Sequence, residues 1–265
     1  MTNADGAARA LMDVRMNRQR IAALPAGIAP ASVEDAYALQ PAVRRLIGEK
    51  VGGRQIGWKI GCTNPSAQAH LGIDEPFYGG VFERTTFTSP ATVRASDFFM
   101  TVIEAEIGFR MKDDLPAAAA PYDPDSVAGA VECVLPCMEI VDSRYDEWTT
   151  IGAPHIIADN GSHGAWVHGA PVSDWQDIDL SELEVELLAN GERVREGNGF
   201  AVMGNPLNAL TWLANVRAVY ARDGLKAGDV ISTGTTIDVY GAKAGDHLLA
   251  DFGALGQVEL TIDKG

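Results

Sequence analysis

Thr101-Val-Ile-Glu-Ala-Glu-Ile-Gly-Phe-Arg110 is the stretch whose reading decides the fold. Its alternation predicts a strand, with Ile103, Ala105, Ile107 and Phe109 on one face and Glu104 and Glu106 on the other. The first face belongs in a core; the second gathers negative charge. Two positions apart on a strand, the glutamate Cα atoms lie roughly 6.5 to 7 Å from one another, close enough for both carboxylates to converge and repel. A hard divalent cation bound through oxygen would relieve that repulsion and leave positions for water or substrate. An ordinary half-exposed strand with a solvated acidic face would show the same pattern.

Glu139 adds a second constraint. It sits in Leu135-Pro-Cys-Met-Glu-Ile-Val141, an otherwise apolar strand in which an unpaired charge is costly. A shared metal would serve as its partner. So would an ion pair with the nearby Asp142 and Arg144, and spacing alone leaves both open.

Outward from these strands, residues 5–24 and 32–50 read as helices, the second capped by Ser32 with Asp35 three positions on. Pro25 to Pro30 links them. A strand is predicted over 54–60, and Asn64-Pro65 opens a helix that Gly72 ends after Leu71. Residues 74–80 read as a loop. Short strands follow at 134–141, 165–169, 183–188 and 230–233, with Asn190-Gly191 as a tight hairpin turn. Pro206 to Tyr220 reads as a long helix capped by Asn205. The tetrapeptide Lys-Ala-Gly-Asp recurs at 226–229 and 243–246 with unrelated flanks, which indicates shared turn chemistry rather than a repeat. The expected organisation is an N-terminal helical segment, 1–52, and a β-rich catalytic domain, 53–265.

The 265 residues are 46% hydrophobic, enough for a sizeable core, and carry a formal net charge of -15. That charge opposes binding to nucleic acid, where Lys and Arg must displace counterions. An anionic substrate would need a local cation or a metal, which singles out Lys59. The N-terminal stretch lacks the apolar core of a signal peptide, and no run approaches the ~18 apolar residues of a membrane span, so a soluble, cytoplasmic protein without a membrane partner is expected. Cys62, Cys133 and Cys137 form no C-x-x-C pair and read as buried thiols.

Gly57-Trp-Lys-Ile-Gly-Cys-Thr63, Ile103-Glu-Ala-Glu106, Leu135-Pro-Cys-Met-Glu139 and Ala158-Asp-Asn160 resemble, in order and spacing, the 2-oxopent-4-enoate hydratase and 4-oxalocrotonate decarboxylase family of the fumarylacetoacetate hydrolase superfamily. Gly204 to Leu210 and Val230 to Gly234 extend the resemblance, which spans about residues 35–262. It implies an α+β fold, a mixed β-roll preceded by helices. It also implies a magnesium or manganese ion on Glu104, Glu106 and Glu139, Lys59 as the active-site lysine, homo-oligomers, and a role in meta-cleavage breakdown of aromatic compounds. The implied substrate is a small anionic 2-oxo or 2-hydroxydienoic acid. The implied reaction is hydration of a 2-hydroxypenta-2,4-dienoate to a 4-hydroxy-2-oxo acid, with decarboxylation of a 4-oxalocrotonate-type acid as the alternative.

One departure bears on the reaction. Several hydratases of the family carry an aspartate where this chain has Phe77, in Ile73-Asp-Glu-Pro-Phe-Tyr-Gly79, so Asp74 or Glu75 becomes the candidate acid/base group. Thr233 and Thr235 fall where the family places a substrate-contacting loop, although a plain turn reads equally well. His155, His163 and His168 match no zinc motif, Gly161-Ser-His-Gly164 is no nucleophile elbow, and all three histidines read as core or surface residues. Asp159-Asn160 reads as structural and Asp113-Asp114 as a solvated turn. Acylpyruvate hydrolysis would need a His/Glu pair on an early helix or loop, which the sequence lacks. A non-catalytic partner subunit would have no reason to keep three glutamates and Lys59 together.

Overall fold

Residues 3–265 are described by the structure, a computed structural model; the first two residues of the 1–52 segment lie outside that range. Six α-helices run as α1 Asn3–Asn17, α2 Val33–Ile47, α3 Pro65–Leu71, α4 Pro124–Gly129, α5 Ala153–Ala158 and α6 Pro206–Tyr220. Strands β1 Gln55–Gly61, β2 Phe77–Phe82, β3 Thr86–Thr88, β4 Ala91–Arg94, β5 Val102–Met111, β6 Val131–Val141 and β7 His163–His168 occupy the first part of the chain. The rest are β8 Glu184–Ala189, β9 Glu192–Asn198, β10 Val230–Thr235, β11 Tyr240–Gly241, β12 His247–Asp251 and β13 Gln257–Asp263.

The strands form two mixed sheets. One runs β2-β1-β10-β5-β6-β7-β3 with β11 added to β5, and the other runs β4-β13-β12-β8-β9. The β1–β10, β3–β7 and β4–β13 pairs are parallel. A single apolar cluster joins Ala7 and Leu11 of α1, Tyr37 and Val43 of α2, and the sheet residues Ile103, Phe109 and Leu248. Helices α1 and α2 therefore share one core with the sheets, and the expected boundary at 52/53 falls just before β1. Among the described residues no helix is long and apolar enough to cross a membrane.

Local chemistry accounts for most of the boundaries. Ser32 accepts from Asp35 N–H at the start of α2, and Asn64 and Asn205 cap α3 and α6. Gly72 ends α3 in the left-handed conformation. Asn190 and Gly191, both at positive φ, turn β8 into β9. In both Lys-Ala-Gly-Asp copies the aspartate accepts from the lysine N–H three residues back, as shared turn chemistry requires.

Two expectations change. The first helix stops at Asn17, not 24, because Arg18 is left-handed (φ 57°) and the chain then runs extended so that Ile21 bridges Tyr145. Residues 77–82, expected partly as loop, are the buried strand β2. Gly79 permits it: a Cβ there would lie 2.3 Å from the Asn160 carbonyl oxygen, so only glycine lets this backbone approach.

Trp58 and Lys59 face opposite sides of β1. The Trp58 ring packs under the Arg217 and Arg44 guanidinium groups, 3.4 and 4.8 Å from the ring centroid, which docks α6 and α2 on one face. Lys59 is left pointing to the other face, and that face is the site.

Candidate active site

Strands β1, β10, β5 and β6 are consecutive neighbours, and their shared face carries the charged residues. Antiparallel pairing sets Glu104 of β5 directly opposite Glu139 of β6, with Glu106 two residues along. One carboxylate oxygen from each of the three lies within 4.8 Å of the other two. Glu106 and Glu139 are fully buried and Glu104 partly so, hence the acidic face is not a solvated one. Like charges facing each other across a strand pair are destabilising unless something compensates.

Compensation is partial. Lys59 Nζ stands 3.3 Å from Glu139 Oε2, and His163 Nδ1 is hydrogen-bonded to Glu139 Oε1 at 2.8 Å. Burial alone would raise the Glu139 carboxyl, yet Lys59 and His163 bring it below its ordinary value. Burial likewise works against the Lys59 ammonium, but Glu139, Glu104 and Glu106 outweigh it and hold Lys59 above the ordinary lysine value. Glu106 is pushed well up by burial and by the charges of Glu139 and Glu104. Glu104 is raised by burial despite Lys59. His163 is lowered by burial, so its neutral ring orients Glu139 from behind.

Glu106 is anchored through one oxygen only. Its Oε2 accepts from the Ser232 hydroxyl and from Gly234 N–H, and Ser232 in turn accepts from Trp166 Nε1 at 2.9 Å. Its Oε1 is buried with no hydrogen-bond partner. One oxygen is anchored and the other is bare, beside two further carboxylates. This all-oxygen donor set fits a hard divalent cation, and Glu104, Glu106 and Glu139 are the residues that would hold it. Gly234 makes the anchor possible: it sits at φ 99°, and a Cβ there would meet Thr63 Oγ1 at 2.1 Å.

A cavity of about 470 Å³ opens onto this cluster. Its floor holds Lys59, Phe77, Thr63, Ser162 and Glu104, and the Phe77 ring centroid is 5.6 Å from Lys59 Nζ. The Thr63 and Ser162 hydroxyls are buried without hydrogen-bond partners. Ser162 follows Asn160 and Gly161, and all three have positive φ, a strained turn at the wall of the cavity.

The expected site residues are distributed unevenly. Lys59, Glu104, Glu106 and Glu139 come together. Thr235 lines the cavity, its hydroxyl donating to Ile237 O at 2.7 Å. Thr233 does not line it: its fully buried hydroxyl donates to Ile107 O at 2.6 Å and ties β10 to β5. Asp74 is exposed, and Glu75 accepts from Trp212 Nε1 at 3.4 Å; neither lines the cavity. Ile73 and Pro76 anchor that loop in the interior, and Phe77 is the residue it sends to the floor. Arg144 pairs with Asp159 and Asp142, leaving Glu139 to Lys59 and His163.

Four contributors escaped the sequence reading: His163, Ser232, Ser162 and Thr63. His163 fits neither a zinc nor a nucleophile motif, and its partner lies across a strand pair. Its polar ring in the otherwise apolar run His163-Gly-Ala-Trp-Val167 was the available signal.

A mixed β-roll whose inner face brings three carboxylates and one lysine to the foot of a small cavity defines an enzyme acting on a small acid. The chain belongs to the fumarylacetoacetate (FAA) hydrolase C-terminal family, whose model matches residues 66–263. It is 34% identical over 260 residues to a 2-keto-4-pentenoate hydratase of Paraburkholderia xenovorans (strain LB400), covering 97% of this chain and 94% of that one. It is 32% identical over 224 residues to a 4-oxalocrotonate decarboxylase of Pseudomonas putida, covering 84% and 83%. The structure of 4-oxalocrotonate decarboxylase from Pseudomonas putida G7, complexed with magnesium and adipate, superposes with a TM-score of 0.91 at 27% identity, covering 99% of this chain and 98% of that one.

Proposed function

We propose that this chain is a hydro-lyase that adds water to a 2-hydroxypenta-2,4-dienoate-like acid to give a 4-hydroxy-2-oxo acid, with Mg2+ or Mn2+ held by Glu104, Glu106 and Glu139. The bare, buried Glu106 Oε1 beside two more carboxylates and Lys59 carries the reading. When bound, the cation supplies Lewis-acid polarisation of the substrate's 2-oxygen. Lys59 binds the substrate carboxylate and offsets its charge in a chain of net charge -15. The unpartnered Thr63 and Ser162 hydroxyls donate to substrate oxygens, and Phe77 keeps bulk water from the diene. Net reaction moves the enol proton to the substrate's carbon skeleton and adds water across the double bond next to the ketone. Asp74 and Glu75 have no role in this scheme, since neither reaches the cavity.

Loss of 2-hydroxypenta-2,4-dienoate absorbance, followed with magnesium and after chelation, tests the proposal. Decay should stop on chelation and in Glu106→Gln; decay indifferent to both rejects it. A second reading, decarboxylation of a 2-oxo-3-enedioate, is favoured by the apolar Phe77 on the floor and would appear as carbon dioxide release from 4-oxalocrotonate without net hydration. As an expectation from the family, the enzyme is a homo-oligomer serving meta-cleavage catabolism.

A further inference from the structure

The cavity is polarised along its depth. Lys59, Thr63, Phe77, Ser162 and Gly234 at the floor are buried, whereas Trp148 is partly exposed and Asp238 and Val239 are exposed at the mouth. Lys59 is the one lysine, arginine or histidine among the described residues lining the cavity. Both ends therefore differ in what they accept. The floor takes an anion; the mouth offers an indole, the Val239 side chain (40% exposed), the exposed Ser66 and one carboxylate, but no cation. Size adds to this. A five-carbon dienoate of about eight heavy atoms fills roughly 150 Å³ at interior packing density, about a third of the 470 Å³ present.

We propose that the mouth makes this enzyme selective for singly charged 2-hydroxydienoates carrying an apolar substituent beyond the fifth carbon, and against those ending in a second carboxylate. The inference rests on the hydratase reading for the orientation of the substrate, with its carboxylate at Lys59. From that end the carbon chain extends past Phe77 toward the exposed lining, which carries Trp148 and Val239 on one part and Ser66 of α3 on another. A hydrocarbon tail there gains by leaving water against apolar side chains. A terminal carboxylate is instead desolvated beside Trp148, meets Asp238, and finds no cation to pair with. Trp148 and Asp238 are thus specificity-determining residues, the first attractive and the second repulsive.

Binding can be measured apart from turnover. Calorimetric titration of the magnesium-loaded protein with 2-oxohexanoate and 2-oxoadipate compares one chain length with one and two carboxylates. The monoacid should bind at least about tenfold tighter. Asp238→Lys, a change at an exposed position, should narrow that ratio about tenfold by reversing the charge at the mouth. Trp148→Ala should weaken 2-oxohexanoate while leaving pyruvate, which is too short to reach the mouth, as it was. Equal binding of the two six-carbon acids, or a ratio that Asp238→Lys does not move, overturns the inference. Turnover of 2-hydroxyhexa-2,4-dienoate against 2-hydroxyhepta-2,4-diene-1,7-dioate then separates the two levels of argument. A monoacid preference in binding without turnover of any dienoate supports the selectivity and removes the hydratase reading. Turnover of both dienoates with equal kcat/KM removes the selectivity alone.

Discussion

Replacing Glu106 with glutamine separates what this carboxylate costs the fold from what it supplies to the site. The amide oxygen of glutamine still accepts from Ser232 and from Gly234 N–H, the two groups that anchor Oε2. The amide NH2 takes the place of Oε1, which is buried and unpartnered, and donates toward Glu104 and Glu139. Without metal, Glu106→Gln should therefore be more stable than the wild type at neutral pH. Linkage sets the ceiling. Burial and two carboxylate neighbours push Glu106 well above its ordinary value of 4.5, so the folded protein retains a proton that the unfolded chain has released. The wild-type contribution is full below about pH 4.5 and is lost as pH rises toward the raised folded value. Neutral pH lies about 2.5 pH units above the unfolded value, and at about 1.36 kcal/mol per unit the loss is at most about 3.4 kcal/mol. At about 2 to 4 °C per kcal/mol, the metal-free variant should melt up to about 14 °C above the metal-free wild type at pH 7, with the gap closing near pH 5. Saturating magnesium reverses the order: a cation at about 1,000 times its Kd adds about 4.1 kcal/mol to the wild type, and the variant, short of one charged ligand, gains little. Thermal melting from pH 5 to 8, with chelator and with magnesium, reads both effects. A metal-free variant less stable than wild type, or an equal magnesium shift in both proteins, refutes the three-carboxylate site.

Lys59→Met should act in opposite directions on the two ligands: magnesium binds more tightly once the neighbouring cation is gone, while kcat/KM falls by about 10²-fold or more, as titration and steady-state kinetics will show. Ser232→Ala frees Glu106 Oε2 from one anchor and strands Trp166 Nε1; metal affinity should drop about 10- to 100-fold in calorimetry, with a stability loss of about 1 to 3 kcal/mol in denaturant titration. Arg144→Met leaves Asp142 and Asp159 without their buried partner and should cost about 3 to 5 kcal/mol in the same titration, with the dienoate KM of the surviving folded enzyme unchanged.

Legibility in the sequence followed the range of the interactions. Alternation along Thr101–Arg110 reports which residues share a face, so Glu104 and Glu106 were readable as a pair, and the polar intrusion at Glu139 marked a position in need of a partner. Local caps at Ser32, Asn64 and Asn205 were readable because donor and acceptor lie within three residues. What escaped depends on strand order. His163 reaches Glu139 across the β6–β7 pair, and Ser232 reaches Glu106 across β10–β5, contacts separated by 24 and 126 residues. Asp74 and Glu75 do not line the cavity, because burial of Ile73 and Pro76 turns Phe77, not a carboxylate, toward it.

The charges in the site set the valence of the cation it would suit. Three glutamates against one lysine leave two negative charges uncancelled in a buried cluster, and the protein expresses that surplus as protons held by Glu106 and Glu104 above their ordinary range. A divalent cation cancels the surplus, and a monovalent ion cancels half. Lys59 Nζ stands 3.3 Å from Glu139, so its charge is shared between the cluster and any anion that enters the cavity. On the proposed reading, a divalent cation held by Glu104, Glu106 and Glu139 would supply the cancelling charge, and Lys59 would then be the group that receives the substrate's carboxylate.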